Sequence, residues 1–320
     1  MSLMPTFATT SGFLGITRSD PGADLVVAGV PLDIGTTNRA GARDGPHAIR
    51  RASRMLTDGE HPEFWIEPAT LNIADIGDLQ LALGDIPESL RLIEQQVAGL
   101  GHLVALGGEH GITLPLLRAL SRRVGGGLAL VHFDAHVDTW PANFGQTYAH
   151  GSVFYHAIEE RLVEPHRMIQ IGIRSPVQRE VWDWTIGHGV TVLTAQHVHA
   201  MSPDAIAQRI RDVVGDAPSY LSFDVDVLDP AFAPGTGTPE LGGLTGHQGL
   251  QIIRGCRGLN IVGADLVEVS PPYDVSGNTA LVGANLLFEQ LCVLPRVHYH
   301  DTRHLPRAET AAADASAVTA

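Results

Sequence analysis

Lysine is absent from this 320-residue chain: all 21 basic residues are arginine. That excludes Schiff-base catalysis, a pyridoxal-phosphate anchor and the lysine of a P-loop. Cysteine is scarce, with only Cys256 and Cys292. Two thiols so far apart form neither a Cys-rich zinc cage nor a disulfide framework, and they suit a reducing cytoplasm. No apolar run reaches the ~18 residues that span a bilayer. Residues 1–15 lack a basic stretch followed by an apolar core, so no secretory signal is read there. Met1-Ser2-Leu3 ahead of Met4 is read as a leader before the native start. Positive charge is in deficit, with a net charge of −14. Phosphate backbones and anionic membranes call for clustered cations, so neither nucleic acid nor membrane is expected as a partner; a cationic ligand is favoured.

Hydrophobic residues make up 44 % and charged residues 18 %, which is ordinary globular usage. Short β-rich runs alternate with helical patterns. Strands are expected over 23–30, 71–76, 102–106, 127–133, 168–173, 190–193, 220–223 and 261–267. Helices are expected over 46–52, 85–98, 113–124, 152–162, 204–214, 248–256 and 278–291. Asp85 and Glu88 resemble a capping box. Gly125-Gly126-Gly127 reads as a turn, since no phosphate-binding context accompanies it. The tail from Ala308 is Ala-rich and polar and is expected to fray. Such alternation implies βαβ units and a mostly parallel sheet, whose ligands bind beyond the carboxyl ends of the strands.

Three expected strands end in residues that can bind metal. The strand over 102–106 runs into Gly107-Gly108-Glu109-His110. The strand over 127–133 runs into Asp134-Ala135-His136-Val137-Asp138, and that over 220–223 into Asp224-Val225-Asp226. In extended chain, residues two apart point to one side, so Asp134, His136 and Asp138 can converge, as can Asp224 and Asp226. A single Asp at a strand end is most often a turn or helix cap. Two such clusters and a His after Gly-Gly, all at strand ends, point instead to one cleft. Four carboxylates and two neutral imidazoles there carry about −4 and repel one another. Two divalent cations cancel that charge. Oxygen-rich ligation with some imidazole and no thiolate suits Mn²⁺ ahead of Mg²⁺, Fe²⁺, Co²⁺ or Zn²⁺. Six ligands are too few for two separate shells, so carboxylates must bridge, which sets the ions about 3.5–4 Å apart. The remaining histidines, among them His197, His199, His298, His300 and His304, share no ligand spacing with a carboxylate and read as surface residues. Trp182 and Trp184 read as packing residues.

These motifs resemble those of the ureohydrolase family, the arginase–agmatinase group. G-G-[DE]-H stands at residues 107–110 and D-A-H-x-D at 134–138. The long pattern S-F-D-x-D-x-x-D-P-x-x-A-P-G-T-G-T-P spans 222–239, and E-V-[SA]-P-x-Y-D spans 268–274. Residues 41–50 (GARDGPHAIR) resemble the family's first loop and helix. The likeness covers roughly residues 23–295, within a single domain taken as 1–320. It implies a three-layer α/β/α sandwich around a mainly parallel sheet, usually assembled as trimers or hexamers. It implies one Mn²⁺ held by His110, Asp134, Asp138 and Asp224, and a second held by Asp134, His136, Asp224 and Asp226. It further implies hydroxide attack on a guanidinium carbon, with Glu268 pairing the guanidinium and His150 protonating the leaving amine. Read without the resemblance, Glu268 could ion-pair with an Arg, and His150 could cap the following helix.

The substrate is less sharply marked. The Ser-Gly-Asn loop of arginases is replaced by residues 143–150 (NFGQTYAH), which disfavours arginine; Asn143 is the candidate substrate contact there. Residues 114–119 (LPLLRA), Phe154-Tyr155 and residues 260–263 (NIVG) look like agmatinases, so cleavage of agmatine to urea and putrescine is preferred. Guanidinobutyrase or a related guanidino-acid hydrolase is the alternative. Its carboxylate-ended substrate would want an Arg or hydroxyl donors at the far end of the pocket. A non-catalytic metal-binding protein on the same fold is a third reading, opposed by the intact His150 and Glu268.

Overall fold

The computed structural model describes residues 12–67 and 71–294. The leader expected at residues 1–3, His298, His300, His304 and the tail from Ala308 lie outside these.

Strand β1 (Leu25–Val30) leads through a loop and a 3-10 turn into helix α1 (Gly45–Ala52). Then follow β2 (Ile73–Asp78), α2 (Ile86–Val97), β3 (His102–Gly107), α3 (Thr113–Val124), β4 (Leu128–Phe133), α4 (Val153–Glu159) and β5 (Val163–Ile173). The chain continues with α5 (Arg179–Gly187), β6 (Thr191–Thr194), α6 (Ala195–His199), α7 (Pro203–Val214), β7 (Ser219–Asp224), α8 (Gly246–Gly255), β8 (Ile261–Val267) and α9 (Asn278–Val293). All eight strands join one parallel sheet in the order β2-β1-β3-β8-β7-β4-β5-β6. Strand alternation sorts the core into two layers. Leu25 and Val27 of β1 face a cluster with Ile49 of α1, Ile210 of α7, Ile252 of α8 and Leu287 of α9. Val26, Ala28 and Val30 face the opposite cluster, with Ile93 of α2, Leu117 of α3 and Phe154 of α4. This is the three-layer α/β/α sandwich expected. No helix among the described residues is long and apolar enough to cross a membrane.

Three differences from the sequence reading have physical causes. Strand β5 starts at Val163, because Leu128 pairs with Val163 and a register irregularity precedes the Leu130–Met168 pair; polar residues around Pro165 hide that extension. Asp85 caps α2 in one direction only: its carboxylate accepts from the Glu88 N–H at 3.0 Å, while Glu88 turns to Arg91. Helix α5 was not expected. Thr185 is its one buried residue, so it carries almost no apolar periodicity.

The sheet's edge is tied to α1 by charge. Asp75 on β2 is buried, and it accepts from Arg50 Nε at 2.8 Å and Nη2 at 2.9 Å. It also accepts the N–H groups of Phe13 at 2.8 Å and Gly77 at 3.0 Å. Removing one partner of a buried pair strands the other's charge. Asp75→Asn should therefore destabilise the fold by about 3 kcal/mol. A lower thermal midpoint would show it; a variant melting with the wild type would mean the pair is energetically idle.

Candidate active site

Four adjacent central strands, β3, β8, β7 and β4, deliver the site. Phe133 and Phe223 are paired in register on β4 and β7, with ring centroids 4.9 Å apart. Such a stack contributes roughly 0.5–1.5 kcal/mol beyond its burial, and the next residue on each strand is Asp134 or Asp224. Just past β3, a Cβ at Gly108 would overlap the carbonyl oxygens of Val30 and Leu32. Glycine lets the chain leave β3 against β1 and brings His110 over the sheet.

His110 is fully buried and its tautomer is set from behind. Ser222 Oγ donates to Asp265 Oδ1 at 2.7 Å, which leaves Ser222 Oγ to accept the His110 Nε2–H at 2.8 Å. Asp265 is fixed in turn by the hydroxyls of Thr113 at 2.6 Å and Tyr220 at 2.9 Å. The bare Nδ1 then faces Asp138 Oδ2 at 3.0 Å, Asp134 Oδ2 at 3.1 Å and Asp224 Oδ2 at 3.3 Å. It has no hydrogen-bond partner among the described residues. A lone pair aimed at three carboxylates is repulsive unless a cation lies between them. Proton binding answers the same need in the metal-free protein. Burial opposes a charged His110, yet Asp134, Asp138 and Asp224 outweigh it and hold its pKa well above the ordinary value.

A second nest adjoins the first through Asp134. His136 Nδ1 lies 3.2 Å from Asp134 Oδ1 and 3.1 Å from Asp226 Oδ2. Asp134 thus turns Oδ2 to one nest and Oδ1 to the other, so this one carboxylate would serve both. Asp224 sends Oδ2 toward His110, while its Oδ1 accepts the Asp226 N–H at 2.9 Å. Burial, with Asp226 and Asp134 beside it, pushes the Asp224 carboxyl well above its usual range. All six expected ligands are therefore brought together, but not by extended chain. Asp138 has φ of +50°, and Asp226 lies in the 3-10 turn Val225–Val227. The chain must curl there to aim both acids inward. The donor set fits two divalent ions.

Sequence reasoning missed His132, although the two-residue period sets it on the side of Asp134. Its Nδ1 accepts from Gln170 Nε2 at 3.1 Å, so its Nε2–H donates to Asp134 Oδ2 at 2.8 Å. It orients Asp134 and is spent doing so. Asp265 was also missed; an acid inside the apolar run of β8 was its signal.

Above these nests opens a cleft of about 540 Å³, lined by His136, Asp138, Asp224, His150, Asn143, Trp140, Arg39 and Glu240 among others. Glu268 stands fully buried behind His150. Its Oε1 accepts from His150 Nδ1 and from the His110 N–H, both at 2.9 Å, and its Oε2 is buried without a partner among the described residues. No Arg pairs with it among the described residues. His150 opens the 3-10 turn His150–Ser152, but its side chain caps nothing. Asn143 lines the cleft in a tight turn closed by its backbone pair with Gln146. His197 caps its own helix with Thr194, and His199 meets the Gly242 carbonyl, so neither joins a ligand cluster. Trp184 packs against Tyr155 and His188.

A profile of the arginase family matches residues 23–292. The chain belongs to the arginase family. It is 48 % identical to a guanidinobutyrase of Pseudomonas aeruginosa, over 86 % of this chain and 87 % of that protein. It is 46 % identical to the mitochondrial agmatinase of Gallus gallus, over 89 % of this chain and 85 % of that one. The structure of proclavaminate amidino hydrolase from Streptomyces clavuligerus aligns with a TM-score of 0.86 at 39 % identity, covering 92 % of this chain and all of that one (100 %). This arginase-family chain is a hydrolase acting on C–N bonds of linear amidines.

Two outcomes follow for the arginase-fold site. Asp134→Asn should strip metal and activity together, as elemental analysis beside urea release would show; retained metal would refute the bridging role. The second concerns His150. Burial opposes its charge, but Glu268, with Asp138 and Glu109 adding, pushes its pKa up to about 9. A raised pKa means that the pair's stabilisation is complete below the free imidazole's value of about 6.5 and is lost as pH rises through about 9. In metal-free protein, the thermal-midpoint gap between wild type and His150→Asn should be wide at pH 6 and closed by pH 10. A gap independent of pH would refute the pairing.

Proposed function

We propose that this chain releases urea from a short, linear guanidino compound, and that the compound ends in a carboxylate. Arg39 is what calls for a carboxylate end. It lines the cleft, its guanidinium lies 5.0 Å from the Tyr273 ring centroid, and it makes no ion pair among the described residues. Gln178 adds to this donor-rich wall, because its Oε1 is taken by Trp140 Nε1 at 2.6 Å and its amide N–H groups remain. A charge-assisted contact to Arg39 would fix the tail while the guanidinium lies inward. Agmatine is the second reading, favoured by Glu240, which also lines the cleft and could pair an ammonium. Glu240 is partly engaged, accepting from Ser175 Oγ at 2.9 Å. Among the segments that favoured agmatine in the sequence, Leu114, Leu117 and Phe154 are buried in the layer of α2, α3 and α4, away from the cleft lining.

Two divalent ions, manganese by family, when bound supply an activated water at neutral pH. His110, Asp134, Asp138 and Asp224 would hold one, and Asp134, His136, Asp224 and Asp226 the other. The chain's own part is orientation and proton handling. Glu268 Oε2, buried and unpartnered, suits a guanidinium N–H. His150, held protonated by Glu268, supplies the proton that the departing amine needs.

Urea release from Mn²⁺-loaded protein should be scored as kcat/KM on 4-guanidinobutyrate, 3-guanidinopropionate, agmatine and arginine. The guanidino acids should lead, and Arg39→Ala should lower their kcat/KM by about 10–100-fold, the worth of a hydrogen bond to a charged group. Agmatine turnover should not fall. Agmatine leading, with Arg39→Ala silent, would transfer the assignment to the second reading. No urea from any of the four would favour a non-catalytic metal-binding protein.

A further inference from the structure

Both ring nitrogens of His150 are occupied. Nδ1 is turned inward to Glu268 Oε1 at 2.9 Å. Nε2 lies 2.7 Å from Thr37 Oγ1 and accepts the Thr37 N–H at 3.2 Å. Thr37 is half-buried and lines the cleft. A proton leaving His150 on the cleft side therefore meets the Thr37 hydroxyl first. When His150 is charged, the Nε2 lone pair that accepts the Thr37 N–H is taken up by a proton, Nε2–H donates to Oγ1, and the Thr37 hydroxyl hydrogen must point elsewhere.

We propose that the Thr37 hydroxyl is a catalytic proton relay between His150 and the departing amine. The proposal rests on the reading above, that this cleft cleaves a guanidino C–N bond with His150 as the acid. As that bond breaks, the electron pair stays on the leaving nitrogen, which takes the Thr37 hydroxyl proton. Oγ1 takes the Nε2 proton in the same event. His150 is left neutral, with its Nδ1–H still donated to Glu268. The next water to enter the cleft gives its proton to Nε2, back through Thr37, and the hydroxide that remains is the one consumed in the following turnover. No other reactant is needed.

The loop that carries Thr37 is built to hold still. Glu109, itself buried, accepts the Gly35 N–H at 2.7 Å and the Thr36 hydroxyl at 3.2 Å, both on Oε2. The Gly35 carbonyl accepts the His150 N–H at 3.4 Å. Gly35 has no room for a side chain, since a Cβ would come within 2.5 Å of Glu109 Oε1. Glu109 is thus a positioning residue: it makes no hydrogen bond to His150 and does not line the cleft, but it fixes the segment whose hydroxyl covers Nε2.

The test compares Thr37→Val, Thr37→Ser and wild type as Mn²⁺-loaded full chains, on the panel substrate that wild type hydrolyses best. Valine keeps the shape and the backbone N–H but removes the hydroxyl; Thr37→Ala replaces it if the loop is disturbed. Loss of the hydroxyl should lower kcat about 10²-fold, the scale of general acid catalysis. KM should stay within about threefold and manganese content unchanged, and serine should restore kcat to within about threefold of wild type. A hydroxyl-free variant with wild-type kcat would overturn the relay while leaving the urea-releasing reading intact. So would a serine variant as slow as valine, which would mark Thr37 as packing. A wild type that releases no urea from any panel substrate removes the reading itself, and the relay with it.

Discussion

The Ser222 hydroxyl, by donating to Asp265, leaves His110 one tautomer and turns its lone pair toward three carboxylate oxygens. The crowding of acids beneath the cleft turns on that constraint. Negative groups crowd where water cannot screen them, and a positive charge must join them. His132 fixes Asp134 with a donated N–H, so Asp134 cannot rotate away from the crowd. The polar chain behind the ring, from Tyr220 and Thr113 to Asp265 to Ser222, is buried and fully engaged, which is the condition under which such networks add rigidity. An outer shell of this kind orients a ligating imidazole and raises its basicity.

The sheet order explains why so few residues suffice. Strands β3, β8, β7 and β4 are neighbours, and each ends beside the cleft. Asp224 and Val267 are register partners, so Glu268 follows one step beyond the end of the same row. Parallel strands have their carboxyl ends on one side, so each loop there adds a side chain to a common volume. The glycines after β3 set the depth at which His110 enters.

Much of this was legible in the sequence. Strand and helix order emerged because most elements bury a continuous face, and the ligand pairs stood out because they follow apolar strands directly. Helix α5 and the five-residue α6 did not, since one is mostly exposed and the other too short to show a period. The geometry of the candidate ligands was legible only in part: spacing implied convergence, but the left-handed turn at Asp138 and the 3-10 turn at Asp226 are consequences of packing. Thr37 and His150 are 113 residues apart, and nothing local to either implies their contact. Arg39 was one arginine among 21 until the fold set it in the cleft wall.

Glu268 has a backbone φ of +63°, in the left-handed region that a side chain occupies only against about 1–2 kcal/mol. Its N–H is tied to the Gly108 carbonyl at 2.8 Å, and the strand before it is gripped on both flanks by β3 and β7. The contorted residue cannot relax by slipping along its neighbours. The tension is absorbed by the stiffest part of the molecule, so the acid arrives at one spot in every folded copy. Reproducible aim, bought with local discomfort, is what the central strand contributes to the enzyme.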